Sequence, residues 1–193
     1  AIGLGIFYRN KDAIVAKFNT SLTQLLYCTF LGGNLNECGN SLIIDDNLEV
    51  YVTGGTCSNN FPITTGAHST VYNRGQTDGF ISHLSVNGTN LLHSTYVGTA
   101  SYDQCYFIQR DKYNDIYVYG QSLGNMPIVN HVSGTVTIVP YNNPGRHQFI
   151  TRYNSTLSLK NMSTVFGSSQ FFLDISPSAF AVDKCNNIYL SGW

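Results

Sequence analysis

Asp45, Asp46, Asn47 and Glu49 gather four oxygen-bearing side chains within five residues. A Ca²⁺ ion needs several such oxygen ligands, so this is the first place to look for metal chemistry. The stretch recurs around Asp111 and around Asp183, but Lys112 and Lys184 stand where the first copy has Asp46. A lysine beside the ion would repel it. The pattern therefore favours an aspartate-closed hairpin turn over a metal loop, and no cofactor or metal is expected. The histidines give little support for catalysis. His83 aligns with Lys17 and Arg152, His93 with Tyr27 and Met162, and His147 with Asp12 and Asp78. All three are variable occupants of scaffold positions. The five cysteines (28, 38, 57, 105, 185) contain no CxxC pair, and Cys28 and Cys185 do not recur between copies, which argues against a repeated zinc site. Paired carboxylates for glycoside chemistry are hard to nominate, because most of the eleven acidic residues fall in turns. No catalytic residue is assigned.

Binding chemistry points to the loops. His68, Tyr72, His131 and Tyr141 lie in the least repeated segments, residues 56–76 and 121–147, and Tyr102 is a further loop candidate between strands. Tyrosine offers rigid, amphipathic contact area at low entropic cost, which suits recognition of sugar or protein. These five are the candidate binding-loop residues.

The elements that would position them follow from an internal repeat. Tyr51, Tyr117 and Tyr189 are spaced by 66 and 72 residues, each inside an apolar strand, an Asp/Asn turn and a β-branched or aromatic strand ending in glycine. Two further strands open each unit. Ala13-Ile14-Val15-Ala16-Lys17-Phe18 is matched by Gly79 through Leu84 and Gln148 through Tyr153. Period-2 patterning puts Ile14, Phe80 and Phe149 on one face with Phe18, Leu84 and Tyr153. Val15, Ile81 and Ile150 fall on the other, with Lys17, His83 and Arg152. Apolar residues on both faces imply sheets covered on both sides. Asn19-Thr20-Ser21, Asn87-Gly88-Thr89 and Asn154-Ser155-Thr156 read as turns, although each also matches the N-glycosylation triplet. Gly3-Leu4-Gly5 lacks the third glycine and following helix of a phosphate loop.

The expected architecture is all-β: four-stranded antiparallel blades of a β-propeller, about three repeats, each unit folding into its own sheet. The units are 1–12 (the tail of a preceding blade), 13–78, 79–147 and 148–193 (partial). Three copies are fewer than a closed propeller needs, so the chain reads as a piece of a larger one. A charged fraction of only 11% with a net charge of −1 leaves no basic stripe for nucleic acid. No apolar run approaches the length of a membrane helix.

With the repeat laid out, the chain resembles the SBBP family of bacterial β-propeller repeats. The matching residues are Asp12 through Asn19, Tyr27-Cys28-Thr29-Phe30-Leu31-Gly32-Gly33, Asn40 through Asp45, Val50-Tyr51-Val52-Thr53-Gly54 and Phe61-Pro62. The second unit repeats them with Asp78 through Leu84 and Ser94-Thr95-Tyr96-Val97-Gly98. In the third, His147 replaces the aspartate. The resemblance implies a large secreted or surface-attached bacterial protein, associated with type IX secretion and gliding in Bacteroidetes-like organisms. It supplies no active-site residue. The expected function is a non-enzymatic extracellular interaction or adhesion module for protein or glycan surface ligands. The rivals are a propeller-fold polysaccharide-degrading enzyme and a passenger or component of secretion machinery, which would partner secretion-system components.

Overall fold

Short runs of β-branched and aromatic residues, each stopped by an Asx turn or a glycine, leave no stretch long enough for a stable helix. In the computed structural model, which describes residues 11–168 and 173–193, the chain is all-β with no helix among those residues. The expectations for residues 1–10, including Gly3-Leu4-Gly5, lie outside the described residues. The strands are β1 (Ala13–Phe18), β2 (Leu25–Leu31), β3 (Glu37–Ile44), β4 (Val50–Thr56), β5 (Asp78–Leu84), β6 (Leu91–Val97), β7 (Asp103–Arg110) and β8 (Ile116–Ser122). They continue as β9 (His131–Ser133), β10 (Val136–Ile138), β11 (Gln148–Tyr153), β12 (Lys160–Phe166), β13 (Pro177–Val182) and β14 (Ile188–Gly192).

The sheets do not coincide with the sequence units. One four-stranded antiparallel sheet runs β3-β4-β5-β6 and the other β7-β8-β11-β12, flanked by the two-stranded sheets β1-β2 and β13-β14. Each large sheet takes its first two strands from one unit and its last two from the next, with Val52 paired to Ser82 and Val118 to Thr151. The expectation that each unit closes its own sheet is corrected accordingly. The long segment between the fourth strand of one unit and the first of the next is spare chain, and it lets those two strands lie side by side.

The glycine that closes each hairpin's second strand has a local reason. A register shift interrupts the hairpin between Gly39 and Ser41, between Cys105 and Phe107, and between Pro177 and Ala179. At that shift the partner strand passes close: a Cβ on Gly54 would collide with the Cys38 carbonyl, and one on Gly120 with the Gln104 carbonyl.

The alternation of faces follows the pattern anticipated from the sequence. Phe80 and Leu84 pack with Val15, Leu31, Val50 and Val52 between β1-β2 and the first large sheet. Ile81 and Tyr51, on the opposite face, meet Phe149, Tyr153, Ile108 and Val118 of the second large sheet. Ile150, Tyr117 and Tyr119 meet Phe180 of β13-β14. The sheets are thus stacked face to face in chain order.

The two long loops do more than connect. Residues 57–77 run along edge strand β6, exchanging backbone and hydroxyl hydrogen bonds between Thr64 and Ser94 and between Ser69 and Thr95–Tyr96. Residues 123–147 do the same for β12: the Ser163 N–H donates to the Val129 carbonyl, the Asn143 N–H to the Val165 carbonyl, and the Thr164 hydroxyl to the Tyr141 carbonyl. Each loop occupies an edge that would otherwise present unpaired backbone groups.

Candidate functional site

In both large sheets the two short hairpin turns lie at one end and the long loops begin at the other, as an antiparallel meander requires. At the turn end, Asp45 does what the repeated aspartate was expected to do. Its Oδ1 accepts the backbone N–H groups of Asn47 and Glu49, both at 2.9 Å. Asp111 binds the N–H groups of Tyr113 and Asp115, and Asp183 those of Cys185 and Asn187. The turn brings Leu48, Asn114 and Asn186 to positive φ at 63°, 68° and 65°. Asn19 and Asn154 cap their own turns with their side-chain oxygens, which supports the turn reading of those glycosylation triplets. In the second unit Ser85, not Asn87, holds the corresponding place.

Around the first turn a cleft of about 180 Å³ opens between the large sheets, lined by Asp45, Glu49, Tyr51, His83, His93 and Arg110 among others. His83 is 5 % exposed. Its Nε2 lies 3.1 Å from Glu49 Oε2 and 3.9 Å from Asp45 Oδ2. Neither ring nitrogen makes a hydrogen bond of acceptable geometry. The ring stacks on Tyr51 at 3.8 Å and 10°, and His93 follows at 5.6 Å. Burial pulls the His83 pKa down to about 4, against an upward pull from Asp45, so the imidazole is neutral at physiological pH. Burial raises the Tyr51 phenol, helped by Asp45 and Glu49, and its hydroxyl donates to the Ser155 carbonyl at 2.9 Å across the inter-sheet gap.

The second copy of this arrangement carries a permanent cation where the first has a neutral imidazole. Arg152 takes the place of His83, its Nε 3.5 Å from Asp115 Oδ2 and its guanidinium 5.9 Å from the centre of the Tyr117 ring. In the first copy the nearby arginine, Arg110, is held elsewhere. It grips Asp46 with both terminal nitrogens, at 2.8 and 3.0 Å, and also reaches Asn114.

At the opposite end, two carboxylates flank a glycine that recurs in every unit, a pairing that sequence reasoning missed. Asp78 and Asp103 are both fully buried, and a Cβ on the intervening Gly98 would meet Asp103 Oδ2 at 2.9 Å. Asp78 Oδ2 accepts the Asn73 N–H at 2.7 Å, while its Oδ1 has no hydrogen-bond partner. Burial, then the charge of Asp103, lifts Asp78 to about 7, although the Asn73 hydrogen bond opposes this. Asp103 is also raised by burial while binding Thr99. Asp12 and Glu37 flank Gly32 in the same way. The available signal was the unvarying glycine at 32, 98 and 167. Complete burial of Asp78 and Asp103 closes that pair to substrate and makes it a fastening between strand starts.

The five candidate loop residues do not converge. His68 is on the surface with its ring edge-on to Tyr153, 5.6 Å between ring centres, and its backbone N–H donates to the Leu157 carbonyl. Partial burial, with Lys160 nearby, lowers its pKa. Tyr72 is half-buried against Tyr96, at 5.8 Å, as a core-edge residue. Tyr102 is half-buried, its hydroxyl 3.4 Å from that of Tyr106. His131 and Tyr141 belong together in the second long loop. His131 starts the small β9-β10 hairpin, and Tyr141, 74 % exposed, follows it.

No protein-family model and no curated protein matches the chain. No helix among the described residues is long and apolar enough to cross a membrane.

Proposed function

We propose that the chain is a run of β-propeller blades serving as a non-enzymatic interaction or adhesion module outside a bacterial cell. The observation that carries this reading is the β9-β10 hairpin. Its loop is tied to β12 at Val129, Tyr141 and Asn143. Yet Val132, Val136, Ile138, Val139 and Tyr141 remain 47 to 74 % exposed. Apolar side chains held on an anchored loop form a contact surface that loses little entropy on binding.

Two features support the blade architecture. Face-to-face stacking of four-stranded sheets in chain order is how blades pack. Apolar residues are also uncovered where the flanking sheets have only two strands: Ile14 is 57 % exposed and Tyr189 57 %, against 0 % for their counterpart Phe80 and 2 % for Tyr117. Further strand pairs of the same kind would cover them. The SBBP resemblance supplies the bacterial surface location and the protein or glycan class of ligand.

The test is an array of surface glycans and peptides probed with the chain. Binding that falls at least about tenfold in Tyr141→Ala and Val136→Glu is expected if the hairpin is the contact surface. No ligand on the array, or binding indifferent to both substitutions, would contradict the reading.

A further inference from the structure

We propose that Asp45, Glu49 and His83 form a binding site for one divalent transition-metal ion of the zinc type at the turn end of the first large sheet. The site is independent of the display surface on the β9-β10 hairpin. The three ligand atoms lie within 4.8 Å of one another. Ligands around a zinc-sized ion with bonds of about 2.0–2.2 Å are separated by roughly 3.0–3.5 Å. The separations of 3.1 Å from His83 Nε2 to Glu49 and 3.9 Å to Asp45 straddle the upper end of that range. One imidazole with two carboxylates selects a first-row transition metal over Ca²⁺ or Mg²⁺, which prefer all-oxygen sets.

Two independent observations point to a ligand. The first is His83 itself. It is more than nine-tenths buried and lines the cleft, and it has no hydrogen bond on either nitrogen. A buried polar group left without a partner is costly, and a metal bond would satisfy it. The second is the neighbouring copy, where the position of His83 is held by Arg152, paired with Asp115. Arginine carries a permanent positive charge and imidazole does not. The first copy therefore keeps the acidic groups and lacks their built-in cation, since Arg110 is committed to Asp46. Asp45 uses only Oδ1 in its turn, which leaves Oδ2 for the ion. The cleft has room for a water to complete the coordination sphere.

The experiment titrates Co²⁺, then Zn²⁺ in competition, into the chelator-treated chain and follows the visible absorption. One equivalent is expected to bind with weak nitrogen- and oxygen-ligand bands and without the charge-transfer band that thiolate ligands give. His83→Arg, which rebuilds the second copy's arrangement, is expected to remain folded by circular dichroism and to abolish binding. Glu49→Gln, at a partly exposed position, is expected to weaken binding more than about tenfold, and it decides the matter alone should His83→Arg fail to fold. Absence of binding, a thiolate band, or unchanged affinity in Glu49→Gln would overturn the proposal.

Discussion

At the scale of single residues, the repeats act as built-in controls. Leu48 sits at φ 63° where the other two copies place Asn114 and Asn186. Leucine pays a steric cost in that conformation that asparagine largely avoids. Leu48 is 59 % exposed, so little packing would be lost. Leu48→Asn is predicted to stabilise the fold by about 0.5–1 kcal/mol, read as a shift in the urea midpoint at unchanged slope. Asp78 gives a pH prediction. Its pKa is raised from 3.8 to about 7, so the folded state retains a proton that the unfolded state releases. That contribution is fully present below the unfolded value and is lost as pH rises through the folded value. His83 runs the other way, lowered from 6.5 to about 4, and its contribution is lost as pH falls through that window. The two oppose each other in the wild type, so a variant must separate them. Asp78→Asn keeps the oxygen that accepts the Asn73 N–H. It is predicted to match the wild type near about pH 4 and to exceed it in stability near about pH 8. A difference independent of pH in urea titrations would contradict this assignment.

At the scale of strands and turns, the sequence was most informative about faces and least about partners. Period-2 alternation separated Phe80 and Leu84 from Ile81 and His83, and the structure keeps that division. The Asx turns at Asp45, Asp111 and Asp183 were legible because a short side chain closes a turn with its own neighbours. Pairing between β4 and β5 was not legible, because it spans a 21-residue loop and no local residue pattern specifies which strand lies alongside. The cleft was missed for the same reason: His83 and Glu49 meet only once that pairing is made, and alignment with Lys17 and Arg152 marked His83 as a scaffold position. The glycine repeated at 54 and 120 is a local trace of the close approach inside each hairpin. Gly54→Ala would drive a Cβ into the Cys38 carbonyl, and backbone cannot yield as a side chain can. It is predicted to cost more than about 2 kcal/mol, whereas Gly66→Ala, with open space around it, should cost only the strain of its φ of 82°. Equal losses in the two variants would argue against the close approach at the register shift.

At the scale of the whole molecule, position in the stack decides what a residue contributes. Phe18, Leu84 and Tyr153 are equivalent in the repeat, yet they are 52 %, 0 % and 1 % exposed. Leu84→Ala is predicted to cost about 2–5 kcal/mol and Phe18→Ala less than about 1 kcal/mol, measured by chemical denaturation. Addition of a strand pair that covers β1-β2 would raise the second figure toward the first. The fold is built from sheets stitched across neighbouring units and then stacked. Cross-strand nuclear Overhauser contacts in the 193-residue chain test this most directly. Contacts between Val52 and Ser82 and between Val118 and Thr151 are predicted. Contacts that instead pair β2 with β3 and β6 with β7, closing each sheet within its own unit, would contradict it.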